Sequence, residues 1–117
     1  MGLFGIIGFG KKKKRITGLL DKKALIIDVR TTPEYHTGHI RESINIPLHT
    51  LDVRIKKIRK KNIPVCTCSR SGHQGGIAAT SLRHKGIDAV NRGSWKSLNK
   101  IVMTHEMSRD LIDEKKF

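Results

Sequence analysis

A single α/β domain built on a mostly parallel sheet is the architecture this chain predicts, and three observations carry the prediction. Short β-branched apolar runs such as Leu25-Ile26-Ile27 alternate with segments whose apolar residues recur at helical spacing. The links between them are short, as expected where strands and helices alternate and helices cover both faces of a sheet. The length of 117 residues suits one core, since single cores organise roughly 100–150 residues.

Residues 1–15 stand apart from the rest. Met1 to Gly10 is apolar and glycine-rich, and the basic run Lys11 to Arg15 follows it. A secretory signal would place its charge first, and a membrane-spanning helix needs about 20 apolar residues. Gly2 myristoylation would want Ser or Thr at position 6, which is Ile6. Two readings remain: a membrane-surface contact, with Phe and Ile in lipid and Lys on the headgroups, or a locally packed start. Residues 16–117 are read as one domain.

Leu25 to Val29 reads as a buried strand with polar groups at its C-terminal end, Asp28-Val29-Arg30. A helix start follows, with Thr32 as N-cap, Pro33 at the first helical position and Glu34 in the first turn, and Gly38 ends it. Ser43 to Pro47 is a brief strand closed by proline. From Leu51 to Lys61, Leu51, Ile55 and Ile58 form an apolar stripe, and Lys56, Lys57, Arg59, Lys60 and Lys61 form a basic outer face, read as solvated. Pro64 to Cys68 is a second buried strand, and Ser69 to Gly76 a polar, glycine-rich loop. A helix through Ile77, Ala78 and Leu82 to Lys85 stops at Gly86. Ile87 to Val90 supplies another strand, Asn91 to Ser94 a turn before Trp95, and Leu98 to Leu111 a closing helix.

Lys and Arg number 24 against 10 Asp and Glu, a formal net charge of +14. Such an excess attracts small anions, nucleic acid or anionic lipid without choosing among them. Aromatic residues make up 4%, too few for the stacking platforms of single-strand nucleic-acid binders, so nucleic acid is not the expected partner. Cys66 and Cys68 are too close in sequence for a usual structural disulfide, which suits a reducing cytoplasm. A metal site from Cys66, Cys68 and His73 lacks a second ligand pair. Neither metal nor cofactor is expected, and a monomer is.

The stretch after Cys68 falls where open parallel sheets bind ligands, at the C-terminal ends of strands. Small residues let successive N–H groups turn inward, and the following helix adds its positive end, so the cavity favours an anion. The same field lowers a thiol's pKa, as a nucleophilic cysteine needs. Cys68 is therefore the candidate catalytic residue, with Ser69, Arg70, Ser71, Gly72, His73, Gln74 and Gly75 as the substrate-binding loop. Cys66 is read as core, the other reading being a resolving thiol.

The blocks Leu25-Ile26-Ile27-Asp28-Val29-Arg30, Pro33-Glu34-Tyr35, Gly38-His39-Ile40 and Ser43-Ile44-Asn45-Ile46-Pro47 resemble the first half of the rhodanese homology domain. Ser71-Gly72, Gly86-Ile87 and Asn91-Arg92-Gly93-Ser94-Trp95 resemble the second half, in order. The resemblance implies a rhodanese-like α/β fold: a central parallel five-stranded sheet with helices on both faces. It further implies a cysteine persulfide that carries sulfane sulfur from a small anionic donor such as thiosulfate to cyanide, a thiol or a protein acceptor. His39 is then a structural hydrogen-bonding residue. Asp28 and Arg30, at a strand end near the site, have two readings, a scaffold role with Arg30 pairing to Glu34 and substrate contact.

The loop departs from the family pattern of Cys, any residue, Ser, Gly, any residue, Arg, Ser. With Ser71-Gly72 in register, the nucleophile's position is Ser69, the arginine's is Gln74 and the following serine's is Gly75. A register that starts at Cys68 resembles the phosphatase and arsenate-reductase cousins, which need an Arg where Gln74 stands. Two readings are open: a sulfurtransferase working through Cys68 with help from Arg70 and His73, and an inactive rhodanese-fold binding module whose basic surface docks an acidic partner.

Overall fold

The computed structural model describes residues 16–115, with side chains through Leu111. Residues 1–15, and with them the surface-contact reading, lie outside the described residues. Residues 16–21 are helical (α1) and lead into β1 (Leu25–Asp28). Then come α2 (Thr32–Thr37), β2 (Ile44–Asn45), a 3-10 turn at Leu48–Thr50, α3 (Leu51–Lys61), β3 (Val65–Ser69), α4 (His73–His84), β4 (Ala89–Ser94) and α5 (Trp95–Lys115).

All strand pairs are parallel, in the order β2-β1-β3-β4. The five-stranded sheet implied by the resemblance is thus corrected to four among the described residues. The chain's own patterning agrees, since it offers four apolar runs with strand character. β1 and β3 are central, with Leu25 opposite Val65 and Asp28 opposite Cys68.

Strand pleating sends alternate side chains to opposite faces, and each face has its own core. On one side Ile27, Val65 and Ala89 meet Leu51, Ile55 and Ile58 of α3 and Ala78, Ala79 and Leu82 of α4. On the other, Ile26, Cys66 and Cys68 meet Ile16 and Leu19 of α1 and Leu98, Ile101 and Val102 of α5. The i, i+3, i+4 stripe foreseen for 51–61 is the buried face of α3.

Several boundaries move. Thr31, not Thr32, caps α2: its hydroxyl accepts from the Glu34 amide while the Glu34 carboxylate accepts from the Thr31 amide. A capping box requires Glu at the third helical position, which only Thr31 satisfies. α4 starts at His73, so Gly75 and Gly76 are helical rather than loop. Asn91 to Ser94 is not a turn but the second half of β4, bulged where Thr67 pairs with Asn91 and Ser69 with Ser94. Gly93, at φ 101°, supplies the positive φ in that segment. The closing helix begins earlier, at Trp95.

Candidate functional site

The C-terminal end of β3 and the N-terminus of α4 enclose a tight loop, Arg70 to Gly72. Its centre is Ser69, 1% exposed. Ser69 Oγ accepts the amide hydrogens of Gly72 at 3.0 Å and Gly75 at 3.1 Å. The Gly75 amide is one of those a helix's first turn leaves without an internal acceptor. Thr67, two residues earlier and on the same side of the strand, donates its hydroxyl to Gly75 O at 2.7 Å. Gly75 is therefore held at both its N–H and its C=O by side chains of β3.

Asn91 closes the loop from β4. Its Nδ2 donates to Gly72 O at 3.0 Å, and its Oδ1 accepts from the Gly93 amide at 3.1 Å. Gly72 has φ 101°, and a Cβ there would lie 2.7 Å from Gly93 Cα. A Cβ on Gly75 would collide with Asn91 Oδ1. Glycine is required at both positions for contact reasons, and at Gly72 also for its backbone angle. The sequence reading did not single out Asn91 or Thr67. The available signal was parity, because Thr67 and Ser69 share a face of β3.

Parity also decides the cysteines. Cys68 is fully buried, and it packs with Ile26, Ile40, Leu98, Ile101 and Val102 on the face opposite the loop. Burial pushes its thiol pKa up to about 12, with the Asp28 carboxylate raising it further and Arg30 opposing. The expectation that Cys68 stands at the mouth of the loop is corrected: adjacent strand residues face opposite ways, and Ser69 holds the loop side. Cys66 is core, as expected.

Arg70, Ser71, His73 and Gln74 are exposed around the rim. The amides of His73 and Gln74 belong to the first turn of α4, where no intrahelical acceptor exists. A shallow cleft of about 610 Å³ runs from Gly72 and His73 along α4 to Thr80 and Arg83.

A buried ion pair lies at the C-terminal end of the neighbouring strand β1, with Asp28 opposite Cys68 in the ladder. Arg30 Nη2 lies 2.7 Å from Asp28 Oδ2 and also donates to Gly38 O at 2.7 Å, while Nε donates to Asp28 Oδ1 at 3.0 Å. Nη1 reaches the Glu34 carbonyl at 3.1 Å, and the guanidinium carbon sits 4.5 Å from the Trp95 ring centroid. The expected Arg30–Glu34 pairing is thus to the Glu34 backbone, and the charge partner is Asp28. The Glu34 carboxylate is engaged by Thr31 instead. Those hydrogen bonds hold its pKa below the usual value, with Arg30 and Arg70 adding attraction. His39 Nδ1 lies 2.8 Å from Tyr35 O and its ring stacks on Tyr35, in keeping with a structural role.

The arrangement holds one small buried acceptor, the Ser69 hydroxyl, against two amides. An oxygen of hydroxyl pKa does not supply the anionic nucleophile that takes up sulfane sulfur.

Comparison with known proteins bears on the fold. Residues 13–100 match the rhodanese-like domain family model. The uncharacterized protein YqhL of Bacillus subtilis is 40% identical over 69 residues, which are 59% of this chain and 54% of that protein. A sulfurtransferase of Allochromatium vinosum is 32% identical over 66 residues, 56% of this chain and 61% of its own length. The chain thus spans little more than half the length of these two relatives. Among solved structures, a rhodanese with anions from E. coli superposes with a TM-score of 0.55 at 34% identity, covering 62% of this chain and 88% of that one. With the family model matching most of its length and the parallel sheet, loop and flanking helices in place, this chain belongs to the rhodanese-like domain family.

Proposed function

We propose that this domain is a rhodanese-fold binding module that holds a small oxyanion or sulfur anion over the loop from Ser69 to Gly75 and does not relay sulfur through a persulfide of its own. One observation carries the reading: Ser69 Oγ, not a thiol, receives the amides of Gly72 and Gly75. The sulfurtransferase name of a relative supports the class of ligand, an anionic sulfur compound. The exposed Arg70 and the open end of α4 supply positive potential at the rim. Cys68 does not substitute for the missing thiol, because its burial keeps it protonated near neutral pH.

In sulfur relay, a thiolate displaces sulfite from thiosulfate to give the enzyme persulfide. Cyanide then takes the outer sulfur as thiocyanate and regenerates the thiolate. The test is intact-mass analysis after thiosulfate treatment, together with thiocyanate production. The native chain is expected to gain no sulfur and release no thiocyanate. Ser69→Cys, which puts a thiol among the same amides, is expected to gain one cyanide-labile sulfur atom. A sulfur adduct on the native chain that disappears in Cys68→Ala would overturn the reading and restore Cys68 as the sulfur carrier.

A further inference from the structure

The basic outer face of α3 is not part of the loop site, and its charges are arranged more specifically than a solvated face requires. Arg54, Lys56, Lys57, Arg59, Lys60 and Lys61 all project from this helix, against one acid, Asp52. Among the described residues no carboxylate lies within ion-pair distance of any of them; the two ion pairs present are Arg30–Asp28 and His105–Asp21. Cations in the last turn suit the helix's negative end, which accounts for Arg59, Lys60 and Lys61. Lys56 and Lys57 are mid-helix, and each stands four residues from another lysine, Lys60 and Lys61, a spacing that repels. An uncompensated helix of this kind is stabilised by an external anion.

The face is also shaped. A groove of about 480 Å³ lies between α3 and the C-terminal end of α4, lined by Asp52, Ile55, Lys56, Arg59 and Lys85. Among the described residues Ile55, 6% exposed, is its one aliphatic lining residue. Its rim carries three cations, Lys56 and Arg59 of α3 and Lys85 at the cap of α4.

We propose that this groove docks an acidic segment of a partner protein, with apolar residues interspersed among Asp and Glu. Charge complementarity selects an anion, and the remaining chemistry selects a polypeptide. Tyr35 and Trp95, the aromatics among the described residues, are engaged with His39 and Arg30 and do not line the groove, so no base-stacking platform is offered. The Asp52 carboxylate at the rim has the capacity to accept hydrogen bonds. A peptide backbone has N–H groups to donate to it, whereas a phosphodiester backbone presents only acceptors and is repelled. Ile55 offers a small apolar contact to an aliphatic side chain. The proposal is independent of what the Ser69 loop binds.

The test is fluorescence anisotropy at about 0.15 M salt, with a labelled Glu-rich peptide carrying a Leu at every fourth position. The patch variant is Lys56→Glu/Arg59→Glu/Lys85→Glu. The control is Lys22→Glu/Lys100→Glu/Arg109→Glu, an equal charge change at the turn after α1 and on α5, across the sheet. Circular dichroism checks that both fold. The patch variant is expected to bind at least about tenfold more weakly than the native chain, and the control no more than about threefold. Replacing each Leu of the peptide by Ser is expected to weaken native binding. Equal losses in the two variants would reduce the effect to bulk charge and overturn the proposal. Tighter, patch-dependent binding of duplex DNA or of phosphatidylserine vesicles would overturn it in favour of those partners.

Discussion

Asp28 and Cys68 are partners across the central parallel ladder, and the buried carboxylate beside the thiol adds to the burial that keeps it protonated. Because its pKa is raised from 9.0 to about 12, the native state keeps its proton at pH values where the unfolded chain has released it. This contribution to stability is whole below about pH 9 and is lost as pH rises toward 12. Cys68 is expected to resist iodoacetamide in the folded chain at pH 8 and to react at once in denaturant. Peptide mapping of the alkylated chain measures this, and rapid labelling of folded Cys68 would contradict the burial.

Ser69→Ala removes the acceptor of two amides, one buried and one partly buried. Leaving such donors unsatisfied costs on the order of 1–3 kcal/mol. The midpoint of urea denaturation is expected to fall by the corresponding amount, with little change in slope. Ser69→Cys should lose less, because sulfur still accepts, though weakly.

Gly72 and Gly86 both have positive φ, 101° and 82°, but their surroundings differ. A Cβ on Gly72 meets the backbone of Gly93 at 2.7 Å, while one on Gly86 meets nothing within 4 Å. Gly86→Ala should therefore cost about 1–2 kcal/mol, the left-handed penalty alone. Gly72→Ala should cost more than that, since backbone must move. Paired denaturation curves decide this, and equal losses would mean that the Gly93 contact yields freely.

Arg30→Lys is expected to behave as a severe substitution. Arg30 is 4% exposed and bonds Asp28, Gly38 O and Glu34 O at once while stacking on Trp95. A lysine ammonium cannot reproduce the planar fork. Breaking a buried pair by removing one partner costs roughly 3–5 kcal/mol, so a loss near the lower end is expected for Lys and a larger one for Arg30→Ala. Thermal unfolding of the three proteins gives the order.

The strands and helices were legible because hydrophobic periodicity is local. Leu25 to Ile27 reads as a strand and Leu51, Ile55 and Ile58 as a helix face without any knowledge of partners. The loop was legible as a loop from its composition. Its far boundary was not, because Gly75 and Gly76 are poor helix formers, and the tertiary bonds from Gly75 to Ser69 and Thr67 and from Asn91 to Gly72 override that preference. The strand Asn91 to Ser94 looked like a turn for a similar reason: its pairing with β3 tolerates a bulge that no local rule foresees.

From the chain alone came a single α/β architecture, a glycine-rich loop after a buried strand, and a cationic third helix, all of which depend on residue type and spacing over a few turns. The side on which residues 68 and 69 emerge, the charge partner of Arg30 and the amides that converge on one hydroxyl were settled only by folding. Each depends on which segments distant in sequence pack against a strand, and pleating turns a shift of one residue into a change of face.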